Sequence, residues 1–579
     1  MNANNNNGDL ISQLRNGTAD GRARRVSLSA VSRPPLHPTS LVDYRSKGQL
    51  LITDRFRSVG DEARAVELAK PLSDRLSCTV LLSGVAPETN TRQIETGKEK
   101  TSIVLATGEL IELAGHLGVF TAKVQAPERE VDLAERLGLR QFDLVLDLAV
   151  PGHLRQEVLP PGYFAPGEDT ETLERALQEL PELVGEFEKP KFFNYDPDIC
   201  VHGGSGLTGC TRCLEACPTD AITSIGDKIE VNPYLCQGGG SCATACPTGA
   251  ITYAYPRVSD LLEGLRATLK AYRDAGGRQP AVLLHDAEAG RGILERIAGN
   301  IPENVLPLEV EEVGAVGMDA WLAALAYGAS HVALLAPPSV PPSVRGELAA
   351  QLEFAAAILD GMGHSRERLQ LLSVSEGGDL LDALQALPQQ PDIRPAGFAG
   401  VDEKRTTIRL AVDHLYDQAP APTAVAALPT GAPFGEVQVD RQGCTLCMAC
   451  VSVCPHSALS DAGDVPRLLF DEWNCVQCGL CETACPESVM SRHPRFVYDP
   501  EARRSTRALN EEEPFCCVVC GKPFATQSMM KTMEEKLKGH WMFQKPEALR
   551  RIQMCEDCRV KDMFMQEGDT IDVHKGPGH

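Results

Sequence analysis

The sequence predicts a multidomain chain: α/β domains, two small cysteine-rich α+β modules, and a compact C-terminal knuckle. Three observations carry this. The chain has 579 residues, more than one hydrophobic core can organise. Its 21 cysteines fall in tight clusters rather than along the whole length. Between the clusters, short β-branched runs alternate with helical patterns, the signature of parallel α/β domains.

Taken in order, residues 1–40 begin with an Asn run at 4–7 and stay polar, which predicts a disordered tail. Arg24 and Arg25 are followed by Val-Ser-Leu-Ser rather than a sustained apolar stretch, so they are not expected to be an export signal. Residues 41–185 read as a Rossmann-like α/β domain. Leu50–Thr53 is a strand, GDEARAVELAKPLSDRL a helix, CTVLL a second strand and FDLVLDL another. The turn DRFRSVGDEA has one glycine where a dinucleotide fingerprint needs three, so no NAD or FAD is assigned. Cys78, in CTVLL, is expected to be a core residue. Residues 186–257 form the first cysteine module. Residues 258–395 alternate AVLLH, a helix near 288–299, VLPLEV, a helix across DAWLAALAYGA, HVALLAP, a helix from about 343 to 360, and LQLLSV. This is a compact parallel α/β domain suited to docking. The Ala/Pro/Gly-rich stretch 396–434 reads as a linker, 435–496 as the second cysteine module, and 510–579 as the knuckle.

Composition narrows the function. The formal charge is −23, and residues 521–579 carry ten Lys/Arg against nine Asp/Glu, or +1, leaving −24 on the remainder. Such a body does not present a nucleic-acid-binding surface. No apolar run reaches the ~20 residues of a membrane span, and a cytoplasmic location is expected. Clustered cysteines in a long chain suit metal sites better than disulfides. No Ser/His/Asp elbow, HExxH or kinase-like loop is present.

The clearest motifs are CTLCMACVSVCP at 444–455 and CVQCGLCETACP at 475–486. Both are C-x2-C-x2-C-x3-C-P, the pattern of two-cluster ferredoxins, in which the fourth cysteine of each run serves the other cluster. Cys444, Cys447, Cys450 and Cys485 are therefore expected around one [4Fe–4S] cluster. Cys475, Cys478, Cys481 and Cys454 are expected around the second.

An earlier pair repeats this unit with defects. In CVHGGSGLTGCTRCLEACP, Cys210, Cys213 and Cys217 hold the second to fourth positions, but the first, 207, is Leu. Cys200 lies upstream across a loop containing Gly203, Gly204, Gly206 and Gly209, flexible enough to return it to the site. His202 is the alternative ligand. In CQGGGSCATACP, Gly239 stands where a cysteine is expected between Cys236 and Cys242. The crossed rule assigns Cys200, Cys210, Cys213 and Cys246 to one cluster, and Cys217, Cys236 and Cys242 to the other. Three thiolates suit a [3Fe–4S] cluster, and equally a [4Fe–4S] cluster whose fourth iron takes water, hydroxide or a remote side chain. Three or four [4Fe–4S] clusters are expected in all. Both halves end alike, in CPTDAI and CPTGAI, as an internal duplication would.

At the C-terminus, CCVVCGKPF and CEDC form two C-x2-C knuckles. They predict a zinc site of Cys517, Cys520, Cys555 and Cys558, with Cys516 spare.

These stretches resemble a known family. DICVHGGSGLTGCTRCLEACP, LCQGGGSCATACPTGAI and CGKPF…MCEDCRV are similar to bacterial cytoplasmic multi-cluster iron–sulfur proteins encoded alongside molybdenum formate dehydrogenases. The 281–375 domain resembles the delta subunit of methyl-viologen-reducing hydrogenase without its cysteines, since none lies between Cys246 and Cys444. The resemblance implies electron transfer with a redox protein partner such as a formate dehydrogenase. Maturation of a metalloenzyme is the alternative reading. A third is an enzyme that uses the open iron at position 239.

Overall fold

The computed structural model describes residues 7–567 except 31–39, 56–58, 84–89, 96–101, 126–128, 464 and 544–545. The N-terminal α/β domain is built on a six-stranded sheet. Strands Tyr163–Phe164, Leu144–Asp147, Gln49–Arg55, Ser77–Ser83 and Ser102–Thr107 run parallel, and Asn90–Glu95 closes one edge antiparallel. Leu50, Leu51, Ile52, Val80, Leu81 and Leu82 are wholly buried, so these strands are apolar on both faces, as covered parallel strands are. Cys78 lies among them, in the core. A meander of three antiparallel strands, Leu110–His116, Val119–Gln125 and Glu130–Asp132, was not visible in the sequence pattern. Part of the DRFRSVGDEA turn falls outside the described residues.

The central domain has the parallel order Val305–Glu309, Ala281–His285, His331–Leu335, Leu369–Leu372. Its helices include Val258–Asp274, Ala289–Ile297, Met318–Ala326 and Pro342–Met362. Met318–Ala326 is buried on every side, which explains why its sequence shows no polar face.

Two expectations fail. The 396–434 stretch is not a linker: it contains the helix Lys404–Tyr416, whose Ile408, Ala411, Val412 and Leu415 are buried in the central core. Glu403 caps it by accepting from the N–H groups of Arg405 and Thr406. The described part of the N-terminal 40 residues is also ordered, as helices Asn7–Gln13 and Ala19–Ala30; residues 1–6 and 31–39 lie outside the described residues. Arg24 is wholly buried and donates to the carbonyls of Pro302, Val305 and Arg15. A guanidinium with three carbonyl acceptors is a structural tie, and this accounts for the arginine pair's first member.

The cysteine modules are not free-standing. Strand Met490–Val497 pairs with Gly435–Val439 and with Val425–Ala427, the latter drawn from the supposed linker. Phe434, Phe496 and Tyr498 join the same buried cluster as Trp321 and Ile358 of the central domain. Among the described residues no helix is long and apolar enough to cross a membrane.

Candidate iron–sulfur and metal sites

In the second module the backbone is shaped by residues in the left-handed region. Leu446, Met448 and Ser457 have φ of 53°, 60° and 51°; their counterparts 31 residues later, Gln477, Gly479 and Ser488, have 58°, 87° and 53°. This tight winding turns successive thiols toward a common centre. One cavity is lined by Cys444, Cys447, Cys450 and Cys485, and a second by Cys454, Cys475, Cys478 and Cys481. Each thus takes three thiols from one run and one from the other. Burial and neighbouring thiols push Cys450 up to about 12, and burial pushes Cys475 up to about 11. Closely packed thiols in dry surroundings hold their protons unless a cation offsets the cost of ionisation, which is the electrostatic condition an iron centre meets. Gln477 Nε2 donates to Cys475 Sγ at 3.3 Å.

The first module gathers Cys200, Cys210 and Cys246 around Cys213, whose thiol is raised by burial and then by those three. The loop thus brings Cys200 back beside the other three cysteines. The first half repeats only the last of these turns: Asp220 has φ 51° at the position of Ser457, but Thr211 has φ −116° where Met448 has 60°. Its glycines serve close approach more than flexibility. A side chain on Gly204 would meet the carbonyl oxygen of Val453 at 2.7 Å, and one on Gly209 would meet Leu480 at 2.7 Å. His202 is 2% exposed, and its ring nitrogens face the Cys210 carbonyl at 2.8 Å and Ser224 Oγ at 2.7 Å. Both are engaged, so it braces the loop instead of offering a ligand.

The second half does repeat the winding. Gly238, Gly240 and Gly249 have φ of 83°, 72° and 78°, at the positions of Gln477, Gly479 and Ser488. Gly239 falls where Cys478 falls in the regular run. The space beside it is open: a Cβ at this position would have Pro218 Cγ, 3.7 Å away, as its nearest neighbour. Cys242 is raised by burial, then by Cys236, Cys217 and Cys213. The three-thiol group is thus present, with the ligand-bearing backbone kept and one side chain deleted.

Several supporting residues carry no motif. Lys404, 8% exposed, donates to the carbonyls of Ala243, Thr244 and Cys246, capping the short helix Ser241–Ala245. Its neighbour Arg405 donates to the carbonyls of Pro433, Trp473 and Cys475, and lies 4.7 Å from the ring centres of both Phe434 and Trp473. Consecutive buried cations thus grip a cysteine carbonyl in each module. Lys189 donates to the carbonyls of Tyr234 and Cys236, and burial lowers its pKa to about 8.

The modules also meet directly. Cys478 of the second is within electrostatic reach of Cys210 of the first, and Val201 lines the cavity that holds Cys478. At the far end, Thr526 Oγ1 donates to the Thr445 carbonyl at 2.7 Å, joining the C-terminal knuckle to the second module.

Residues 207–250 and 443–489 each match the 4Fe-4S dicluster domain family. The chain carries iron–sulfur segments of ferredoxin type. No curated protein matches the chain. The dicluster segments support several [4Fe–4S] clusters and an electron-transfer role.

In the knuckle, the sulfurs of Cys517, Cys520, Cys555 and Cys558 all lie within 4.8 Å of one another, and Cys520 and Cys555 are 3.6 Å apart. Tetrahedral zinc with Zn–S of about 2.3 Å sets its sulfurs about 3.8 Å apart, so this group can hold a metal ion. Burial raises Cys517, but backbone N–H groups of Cys520, Cys555 and Val519 outweigh it and bring the thiol down to about 6. Cys516 is exposed and stands outside the group.

Proposed function

We propose that the chain is an electron relay whose four thiol groups form one continuous path. The order runs from Cys217/Cys236/Cys242, through Cys200/Cys210/Cys213/Cys246, to Cys454/Cys475/Cys478/Cys481, and ends at Cys444/Cys447/Cys450/Cys485. The observation that supports it best is the close packing of Gly204 and Gly209 on Val453 and Leu480, next to the cysteines of the second module, which joins what would otherwise be two separate ferredoxins. Clusters bound at these groups would supply one-electron redox chemistry. The protein's part is to fix the distances, exclude water and set the charge around each group. Gly204 and Gly209 bring the modules together, and Lys404 and Arg405 lock the cysteine backbones on either side of the junction.

The knuckle holds zinc and secures the last site's loop through Thr526. The partner is a redox enzyme; a molybdenum formate dehydrogenase is the one the sequence resemblance points to. The acidic body favours a partner with a basic docking face.

Anaerobic purification with iron, sulfide and zinc counting, together with EPR, tests this reading. Four iron–sulfur signals and one zinc per chain are expected. Loading of the second module alone, with Cys200 and Cys236 open to alkylation, would refute the path.

A further inference from the structure

The two cysteine runs of the second module share one winding at an offset of 31 residues, so the sites they build differ in side chains more than in backbone. Three positions break the symmetry. Gln477, 7% exposed, donates through Nε2 to Cys475 Sγ at 3.3 Å, whereas its counterpart Leu446 has no donor. Gly479 leaves room for the Arg492 guanidinium: a Cβ there would stand 3.1 Å from the guanidinium carbon. Arg492 Nη1 also donates to the Gln477 carbonyl, so the cation is fixed to the residues on both sides of Cys478. The counterpart of Gly479 is Met448, which carries a side chain. After the proline that ends each run comes His456 in one and Glu487 in the other.

Two otherwise apolar walls thus receive opposite charge. The inner site, Cys454/Cys475/Cys478/Cys481, abuts the first module where Leu480 meets Gly209. Among the described residues its wall has one charged member, Arg492, and burial lowers the pKa of the nearby His456, which keeps it neutral. The outer site, Cys444/Cys447/Cys450/Cys485, faces the knuckle, where Ser528 Oγ donates to the Cys444 carbonyl. The charged member of its wall is Glu487. Glu482 holds Arg492 Nε at 2.6 Å and Lys536 lies 3.9 Å from Glu487, but neither partner lines a cavity.

Reduction makes a cluster one unit more negative. A hydrogen bond to its sulfur and a cation in its wall favour that state, and an anion opposes it. Cys447 is exposed, and water at this one thiol offsets part of the difference. A fixed charge in an apolar wall is the larger effect, since little solvent screens it. We infer that Gln477 and Arg492 set the inner site above the outer one in reduction potential, while Glu487 holds the outer one down, so that electrons cross the second module inward, from the knuckle end to the junction. In this step one electron leaves the outer site and one arrives at the inner site, with no bond or proton exchanged; the reduced redox partner supplies it. The inference rests on the relay reading.

EPR-monitored redox titration of the anaerobically purified full-length protein tests it, with iron counted in every variant. Two different second-module midpoints are expected. Gln477→Leu, which copies Leu446, should lower the higher midpoint alone. Glu487→Gln should raise the lower midpoint alone, and Glu487→Asp, which keeps the charge, should leave both in place. Gln477 also donates to the Glu436 carbonyl; should Gln477→Leu lose iron, the Glu487 variants decide the order. Equal midpoints in the wild type, a shift of the higher midpoint in Glu487→Gln, or no shift in a loaded variant overturns the inference. A reversed order with all four signals present refutes it and leaves the relay standing. The expected order in a chain whose first module takes up no iron supports it and refutes the relay.

Discussion

Replacing Lys404 by methionine removes a buried ammonium that three carbonyls share, those of Ala243, Thr244 and Cys246. Methionine keeps the apolar stem but offers no donor. Charge-assisted hydrogen bonds contribute about 1.5–3 kcal/mol each, yet carbonyls at a short helix end recover part of this from water. A net loss of about 3–5 kcal/mol is expected, typical of removing one partner from a buried charged network. The second consequence is electrical. A positive charge favours the reduced state of a nearby cluster, so its removal lowers the reduction potential. Across roughly 8 Å at an effective dielectric of about 20, one charge contributes about 2 kcal/mol. For one electron this is roughly 90 mV. EPR-monitored redox titration of the full-length protein reads the shift, with Lys404→Arg as the charge-conserving control. The variant should move the signal of the Cys200/Cys210/Cys213/Cys246 site downward and speed alkylation of Cys246. Unchanged potential together with unchanged Cys246 protection would refute the reasoning.

Gly239→Cys should be accepted without strain, because Pro218 Cγ at 3.7 Å is its nearest neighbour and its φ is not in the left-handed region. EPR should then show any oxidised three-iron signal lost and a four-iron signal gained. Gly209→Val places carbon against Leu480, where even a Cβ has only 2.7 Å, and overpacking of this kind costs about 1–3 kcal/mol. Iron content should hold while a chemical denaturation midpoint falls. In the knuckle, Cys520→Ser and Cys555→Ser should each release the metal, read by elemental analysis, and leave the iron–sulfur absorption intact. In the metal-free chain the depressed Cys517 pKa gives a stabilising contribution that is complete above the ordinary thiol value and disappears as pH falls through about 6. Thiolate absorbance against pH measures it.

The regular module was legible because its signal is local: four cysteines and a proline at fixed spacing leave little choice of geometry. The return of Cys200 could be inferred too, since Leu207 cannot ligate iron. What the glycines around it do could not, because a glycine that permits close approach and one that permits bending are the same letter. Gly204 and Gly209 answer to Val453 and Leu480, some 250 residues distant. Helix Lys404–Tyr416 was hidden by the Pro- and Ala-rich sequence that follows it, and Lys404 and Arg405 look in sequence like ordinary surface cations. Their burial is decided by the cysteine carbonyls that they reach across the fold. Arg24 was obscure for the same reason, its three acceptors lying in remote or irregular backbone.

The two modules form one path across the junction at which Gly204 and Gly209 pack on Val453 and Leu480. The most direct measurement is the EPR spectrum of the fully reduced full-length protein, compared with a Cys200→Ser/Cys213→Ser double variant that cannot hold its junction cluster. Spin–spin broadening of the second module's signal is expected in the wild type, and a narrower signal in the variant. Identical second-module signals in the two proteins would contradict it.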